Sequence, residues 1–173
     1  MPAESKPDFL AILRTLRRRR IDFLVVGGVC AVLHGAPVAT FDLDLVHSRE
    51  PANVQRLLAA LETLEARYRV PGHRHRRPEE SHLASPGHQL LMTRYGPLDL
   101  LGVIGAGRDY RALLPRTVRM RIGERLTVRL LDLAALIEIK QETAGEKDKA
   151  VMPVLQRTLE EKLKRRGLGV SRT

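Results

Sequence analysis

Asp42 and Asp44 are the first residues that invite chemistry. They sit in Phe41-Asp42-Leu43-Asp44-Leu45-Val46, downstream of an apolar stretch, Phe23-Leu24-Val25-Val26, that ends in Gly27-Gly28. Side chains alternate faces along a strand, so both carboxylates fall on one face, about 6–7 Å apart, while Phe41, Leu43 and Leu45 point into the core. Such a pair repels itself and calls for a cation nearby. Hard oxygen ligands of this kind favour magnesium or manganese. The glycine pair predicts a strand, a tight turn and a short helix over Val29-Cys30-Ala31-Val32-Leu33-His34. Backbone amides at the start of such a helix suit phosphate oxygens. A third acid, Asp99, lies between apolar residues in Gly96-Pro97-Leu98-Asp99-Leu100-Leu101. Three acids and an amide-rich turn describe metal-dependent phosphoryl or nucleotidyl transfer.

These motifs resemble those of the DNA polymerase beta-like nucleotidyltransferase superfamily: an apolar strand, Gly27-Gly28, a spacer, Asp42-Leu43-Asp44, and the later lone Asp99. The nearer resemblance is to small nucleotidyltransferases of the minimal and toxin-antitoxin (AbiE toxin-like) type. It rests on Gly35-Ala36-Pro37, Thr40-Phe41-Asp42, Leu136-Ile137-Glu138-Ile139-Lys140 and Lys147-Asp148. Such sequences often carry a basic residue just after the proline, where this one has Val38. The resemblance implies an NTP substrate and Mg2+ or Mn2+ held by Asp42, Asp44 and Asp99. The β and γ phosphates would lie on Gly27-Gly28, and Asp99 would activate an acceptor hydroxyl. It further implies Lys140 near the triphosphate and a possible antitoxin partner.

To hold these residues the chain must build an α/β fold, a small mixed sheet with helices packed on one side. Its 173 residues suit one domain, expected over 8–166 with loose ends at 1–7 and 167–173. The expected elements begin with a helix capped by Asp8, buried through Phe9, Ile12, Leu13 and Leu16, and ending in Arg17-Arg18-Arg19-Arg20. Strands follow at 21–26 and 41–47, with His47 on the side opposite the acids. A helix from Ser48 to about Tyr68 presents Val54, Leu57, Leu58, Leu61 and Leu64 on one stripe. Hairpins are expected at 88–101 and 118–130, the second bearing Arg119, Arg121, Arg125 and Arg129. A helix capped by Asp132 buries Leu133, Leu136 and Ile137, and Lys140 falls on the same face, where a lysine wants an anion. Asp148 either orients Lys140 or an arginine or serves as a helix-start acid, and Thr40 either donates to phosphate or caps its turn. Pro153 should kink the last helix or mark a restart.

Composition sets the partners. Hydrophobic residues make up 43% of the chain and aromatics 3%, with no Trp, so the core is aliphatic and base-stacking platforms are scarce. A formal charge of +10, mostly from Arg, exceeds what a triphosphate needs and points to RNA, DNA or an acidic protein. The segment 67–82, with Arg67, Arg69, His73, Arg74, His75, Arg76 and Arg77, reads as a basic loop for acceptor recognition. An RNA end, such as that of transfer RNA, fits best, a protein hydroxyl next. The rival class is a catalytically silent basic module acting on RNA or a partner protein. Cys30 stands alone and reads as a small core residue in a reducing cytoplasm. No apolar run approaches the roughly 20 residues of a membrane span.

Overall fold

The computed structural model describes residues 6–143 and 145–167. In chain order it contains α1 (Phe9–Arg18), β1 (Phe23–Val26), α2 (Gly27–Leu33), β2 (Leu43–His47), α3 (Pro51–Thr63), β3 (Arg67–Tyr68) and α4 (Glu80–Ala84). There follow β4 (His88–Thr93), β5 (Gly96–Leu101), α5 (Tyr110–Leu113), β6 (Thr117–Ile122), β7 (Leu126–Leu131), α6 (Leu133–Thr143) and α7 (Glu146–Arg165). Of the ends expected to be loose, residues 1–5 and 168–173 lie outside the described residues.

Local chemistry accounts for most boundaries. The Asp8 carboxylate accepts from the Ala11 amide at 2.9 Å and starts α1, whose buried side is Ile12, Leu13 and Leu16. Pro51 occupies the first turn of α3, where its missing N–H costs nothing. That helix buries Val54, Leu57, Ala60 and Leu61 but stops at Thr63, earlier than its apolar stripe predicts. Glu65 takes a left-handed conformation (φ 54°), the chain reverses, and Arg67–Tyr68 join the sheet edge instead of extending the helix. The last helix runs through Pro153 without restarting. The segment after β3 is not wholly a surface loop, because α4 buries Leu83 completely.

One mixed sheet holds all seven strands in the order β3-β4-β5-β2-β1-β7-β6. β2 runs antiparallel to β1 and parallel to β5. In the central strands Leu43 and Leu45 point to one side, as the alternation predicts, and are fully buried. His47 shares that side and its Nε2–H donates to the Leu83 carbonyl at 2.8 Å, tying α4 to the sheet. The opposite side, which carries Asp44, is also covered away from the site: Val46 and its cross-strand partner Leu24 are both 0% exposed. Packing on one side alone is therefore corrected to packing on both.

Phe41 departs from expectation. β2 begins at Leu43, so Phe41 lies in the approach loop beyond the sheet, and its side chain is 76% exposed rather than in the core.

Candidate active site

Strand register assembles the acids. Val26 pairs with Asp44, and Asp44 pairs with Asp99. Asp99 in turn pairs with Leu90, and the Leu90 carbonyl accepts from the Arg69 amide at 3.1 Å. Val26, Asp44, Asp99, Leu90 and Arg69 thus form one row across four strands and the residue after β3. Residues opposite each other in such a row point to the same face. Asp42 stands just before β2, yet carboxylate oxygens of Asp42, Asp44 and Asp99 all lie within 4.8 Å of one another. Among the described residues this is the one cluster with metal-ligand composition, and His73 and His75 take no part in it.

The glycines fit against the same side chains. Gly27 adopts φ +66°, and a Cβ there would stand 2.1 Å from Asp44 Oδ2. A Cβ on Gly28 would stand 2.6 Å from Thr40 Oγ1. The diglycine is therefore required both by its turn and by the close approach of Asp44 and Thr40. Thr40 Oγ1 donates to the Asp42 carbonyl at 3.1 Å, closing the loop that delivers Asp42. Helix α2 starts directly at Gly27 with no side-chain cap on its first-turn amides.

Two cations face the acids. Arg69 grips Asp99 with both terminal nitrogens, NH1 on Oδ1 and NH2 on Oδ2, the latter at 3.0 Å, and its NH2 lies 3.6 Å from Asp42 Oδ2. Lys140 Nζ donates to Asp148 Oδ1 at 2.8 Å, with both side chains largely shielded from solvent. The Lys140 charge also reaches Asp44. Burial, then the neighbouring Asp99 and Asp42 charges, push Asp44 up from 3.8 to about 7, against the pull of Lys140 and Arg69. Asp99 is raised as well, because its desolvation outweighs Arg69. A carboxyl group raised by burial and by its acidic neighbours relaxes when a cation enters, so the donor set fits a divalent ion. Cys30 lies apart from this chemistry: burial pushes its thiol up to about 12 and it stays protonated.

Asp42, Asp44, Asp99, Gly27, Gly28 and Thr40 thus converge, with the Lys140–Asp148 pair alongside. Sequence reading missed Arg69 as a member of the site. Within Arg67-Tyr68-Arg69 nothing marks it out until the edge strand is recognised and alternation sets Arg69 on the acid face.

No protein-family model matches the chain, and no curated protein matches it in sequence. Solved structures do match its fold. The lincosamide antibiotic adenylyltransferase LnuA, with lincomycin bound, superposes with a TM-score of 0.60 at 15% identity, covering 87% of this chain and 95% of that one. A candidate nucleotidyltransferase from Thermotoga maritima gives 0.55 at 14% identity, with 91% of each chain covered. ANT(2'')-Ia in complex with adenylyl-2''-tobramycin gives 0.54 at 15% identity, again with 91% of each covered. The chain has the nucleotidyltransferase fold.

Proposed function

We propose that this protein transfers a nucleotidyl group from an NTP to a hydroxyl acceptor. The observation that carries the reading is the meeting of three carboxylates, from two stretches of the chain, against a diglycine turn on which Asp44 and Thr40 leave no room for a side chain. Magnesium or manganese held by Asp42, Asp44 and Asp99 would supply Lewis-acid stabilisation of charge on the phosphates. The chain's own groups do the rest. First-turn amides at Gly27-Gly28 receive the β and γ phosphates, and Lys140, steadied by Asp148, adds a positive charge on the same side. Asp99 accepts the acceptor's hydroxyl proton as the oxygen bonds to the α phosphorus. The bond from that phosphorus to the bridging oxygen breaks, and pyrophosphate leaves. Positioning and electrostatics carry the rate.

The acceptor we propose is an RNA end, with a protein hydroxyl second, in keeping with the net charge and the arginines beside Asp99. A toxin role with a cognate antitoxin is the biological setting that the motif resemblance suggests. A small-molecule hydroxyl is the alternative, favoured by the fold likeness to LnuA and ANT(2'')-Ia. A cationic aminoglycoside fits poorly here, since Arg69 sits against Asp42 and Asp99 and Arg67 and Arg74 line the adjoining cleft. The test is incorporation of α-labelled nucleotide into total RNA, lysate protein or small hydroxyl compounds. Asp42→Asn should abolish labelling without unfolding the protein, and full activity in the folded variant refutes the assignment. A catalytically silent module would bind RNA yet give no magnesium-dependent NTP binding by calorimetry.

A further inference from the structure

We propose that the cleft running from Arg69 along the sheet edge is the track that holds the acceptor RNA by its backbone. This names the acceptor of the transferase site and rests on that reading. The cleft has a volume of about 600 Å3 and is lined by Arg67, Arg69, Arg74, Arg94, Glu65 and Met92. Its link to the acids is direct, because Arg69 is both a wall of the cleft and the partner of Asp99 and Asp42. Arg67 pairs with Met92 in the strand ladder, two residues from Arg69, so both arginines stand on the acid face. Among the described residues neither Arg67 nor Arg74 is paired with a carboxylate. Arg67 instead donates to the His75 carbonyl at 3.2 Å. Arg94 is committed locally, 3.7 Å from Glu65 and stacked over Tyr95.

Two guanidinium groups free of carboxylates, Arg67 and Arg74, in the cleft beside the Arg69–Asp99 pair match a run of phosphates that ends in a free hydroxyl at the acids. With only Tyr68 as an aromatic in the lining, the grip is on the backbone rather than on stacked bases. RNA is the source that fits. Exposed Glu65 offers an acceptor that a ribose 2′-hydroxyl would meet and a deoxyribose would not. The protein offers a rival cationic surface, where Arg14, Arg17 and Arg18 of α1 meet Arg119, Arg125 and Arg129 of the β6–β7 hairpin. That furrow lies by Ile21, Asp22 and Phe23, at the end of β1 opposite Gly27, and has no contact with the acids.

The two surfaces give the experiment its arms. Binding of a short fluorescein-labelled single-stranded RNA to the full chain is followed by anisotropy in EDTA, so that no catalysis enters, across a salt series. R67Q/R74Q should weaken binding about tenfold or more and flatten the log–log salt slope by about 1.4, the loss of two single-strand phosphate contacts. R17Q/R119Q should leave both unchanged, and DNA of the same sequence should bind more weakly. The proposal is overturned if wild-type protein binds no RNA, if R67Q/R74Q binds as wild type does, if R17Q/R119Q takes the loss instead, or if DNA binds equally. Calorimetry with Mn2+ and ATP separates this from the transferase reading. R67Q/R74Q keeps nucleotide binding if the cleft is only the acceptor track, whereas a wild-type protein that binds RNA but no nucleotide sinks the catalytic reading alone.

Discussion

Replacing Gly27 by alanine separates the fold from the chemistry. At φ +66° a side chain is strained by about 1–2 kcal/mol. The new Cβ would stand 2.1 Å from Asp44 Oδ2, 2.9 Å from its Cγ and 3.0 Å from its Cβ. Ordinary contact begins near 3.4 Å, so the carboxylate must withdraw by more than 1 Å. Asp44 Oδ2 is the free end of a side chain and swings aside, whereas Asp44 Cβ, at 3.0 Å, is fixed to β2, which must give by a few tenths of an ångström. The stability cost therefore stays near the backbone strain, about 1–3 kcal/mol in total. The functional cost is larger, because the group that moves is one of the three metal-ligand candidates. Metal–ligand distances tolerate only about ±0.2 Å, and a 1 Å misplacement at a reacting centre costs on the order of 10²-fold in rate.

Gly27→Ala is thus expected to stay folded, with a modest drop in denaturation midpoint, while Mn2+ affinity measured by calorimetry collapses and α-labelled nucleotide incorporation falls at least 10²-fold. Gly35→Ala is the matched control. It has φ +95° with nothing within 4 Å of the added Cβ, so it should lose comparable stability and keep both functions. Wild-type Mn2+ affinity in Gly27→Ala, or an equal functional loss in Gly35→Ala, refutes the reasoning.

Three further outcomes follow from the same geometry. Arg69→Ala leaves the nearly buried Asp99 carboxylate without its bidentate partner, so the metal-free protein should lose about 1–3 kcal/mol at neutral pH, with Mn2+ restoring most of it; a denaturation midpoint unchanged in EDTA contradicts this. Asp44 binds its proton more tightly folded (to about 7) than unfolded (3.8), so its contribution to stability is full below about pH 4 and is lost as pH rises to about 7, a few kcal/mol in all; melting in EDTA against pH checks the sign, and saturating Mg2+ should flatten the curve. On the proposed placement of the triphosphate beside Lys140, Lys140→Ala should remove a charge-assisted contact worth about 1.5–3 kcal/mol and weaken NTP binding about 10- to 100-fold by calorimetry, and unchanged NTP affinity would take Lys140 out of the site.

What the sequence disclosed and what it withheld divide along a physical line. Asp42-Leu43-Asp44, Gly27-Gly28 and Asp99 were legible because each is a violation of local preference: acids are disfavoured in strands, and a diglycine weakens any element it enters. Leu43, Leu45 and the α1 stripe were legible because periodicity and burial agree. Phe41 misled because alternation was extended two residues past the point where hydrogen bonding begins, and α3 was overrun because its apolar stripe continues into Leu64 and Ala66 after the helix has ended.

Arg69 was hidden for a different reason. Its role is set by a ladder of strands distant in sequence, from Val26 through Asp44, Asp99 and Leu90, and the strand it follows is two residues long. Charge counting registers such a residue only as one more arginine in a basic stretch. In the fold it is the cation that lets three carboxylates share so small a space before a metal arrives. A divalent ion held by Asp42, Asp44 and Asp99 would bring twice that charge to the same oxygens and so take over from Arg69 the work of keeping them together.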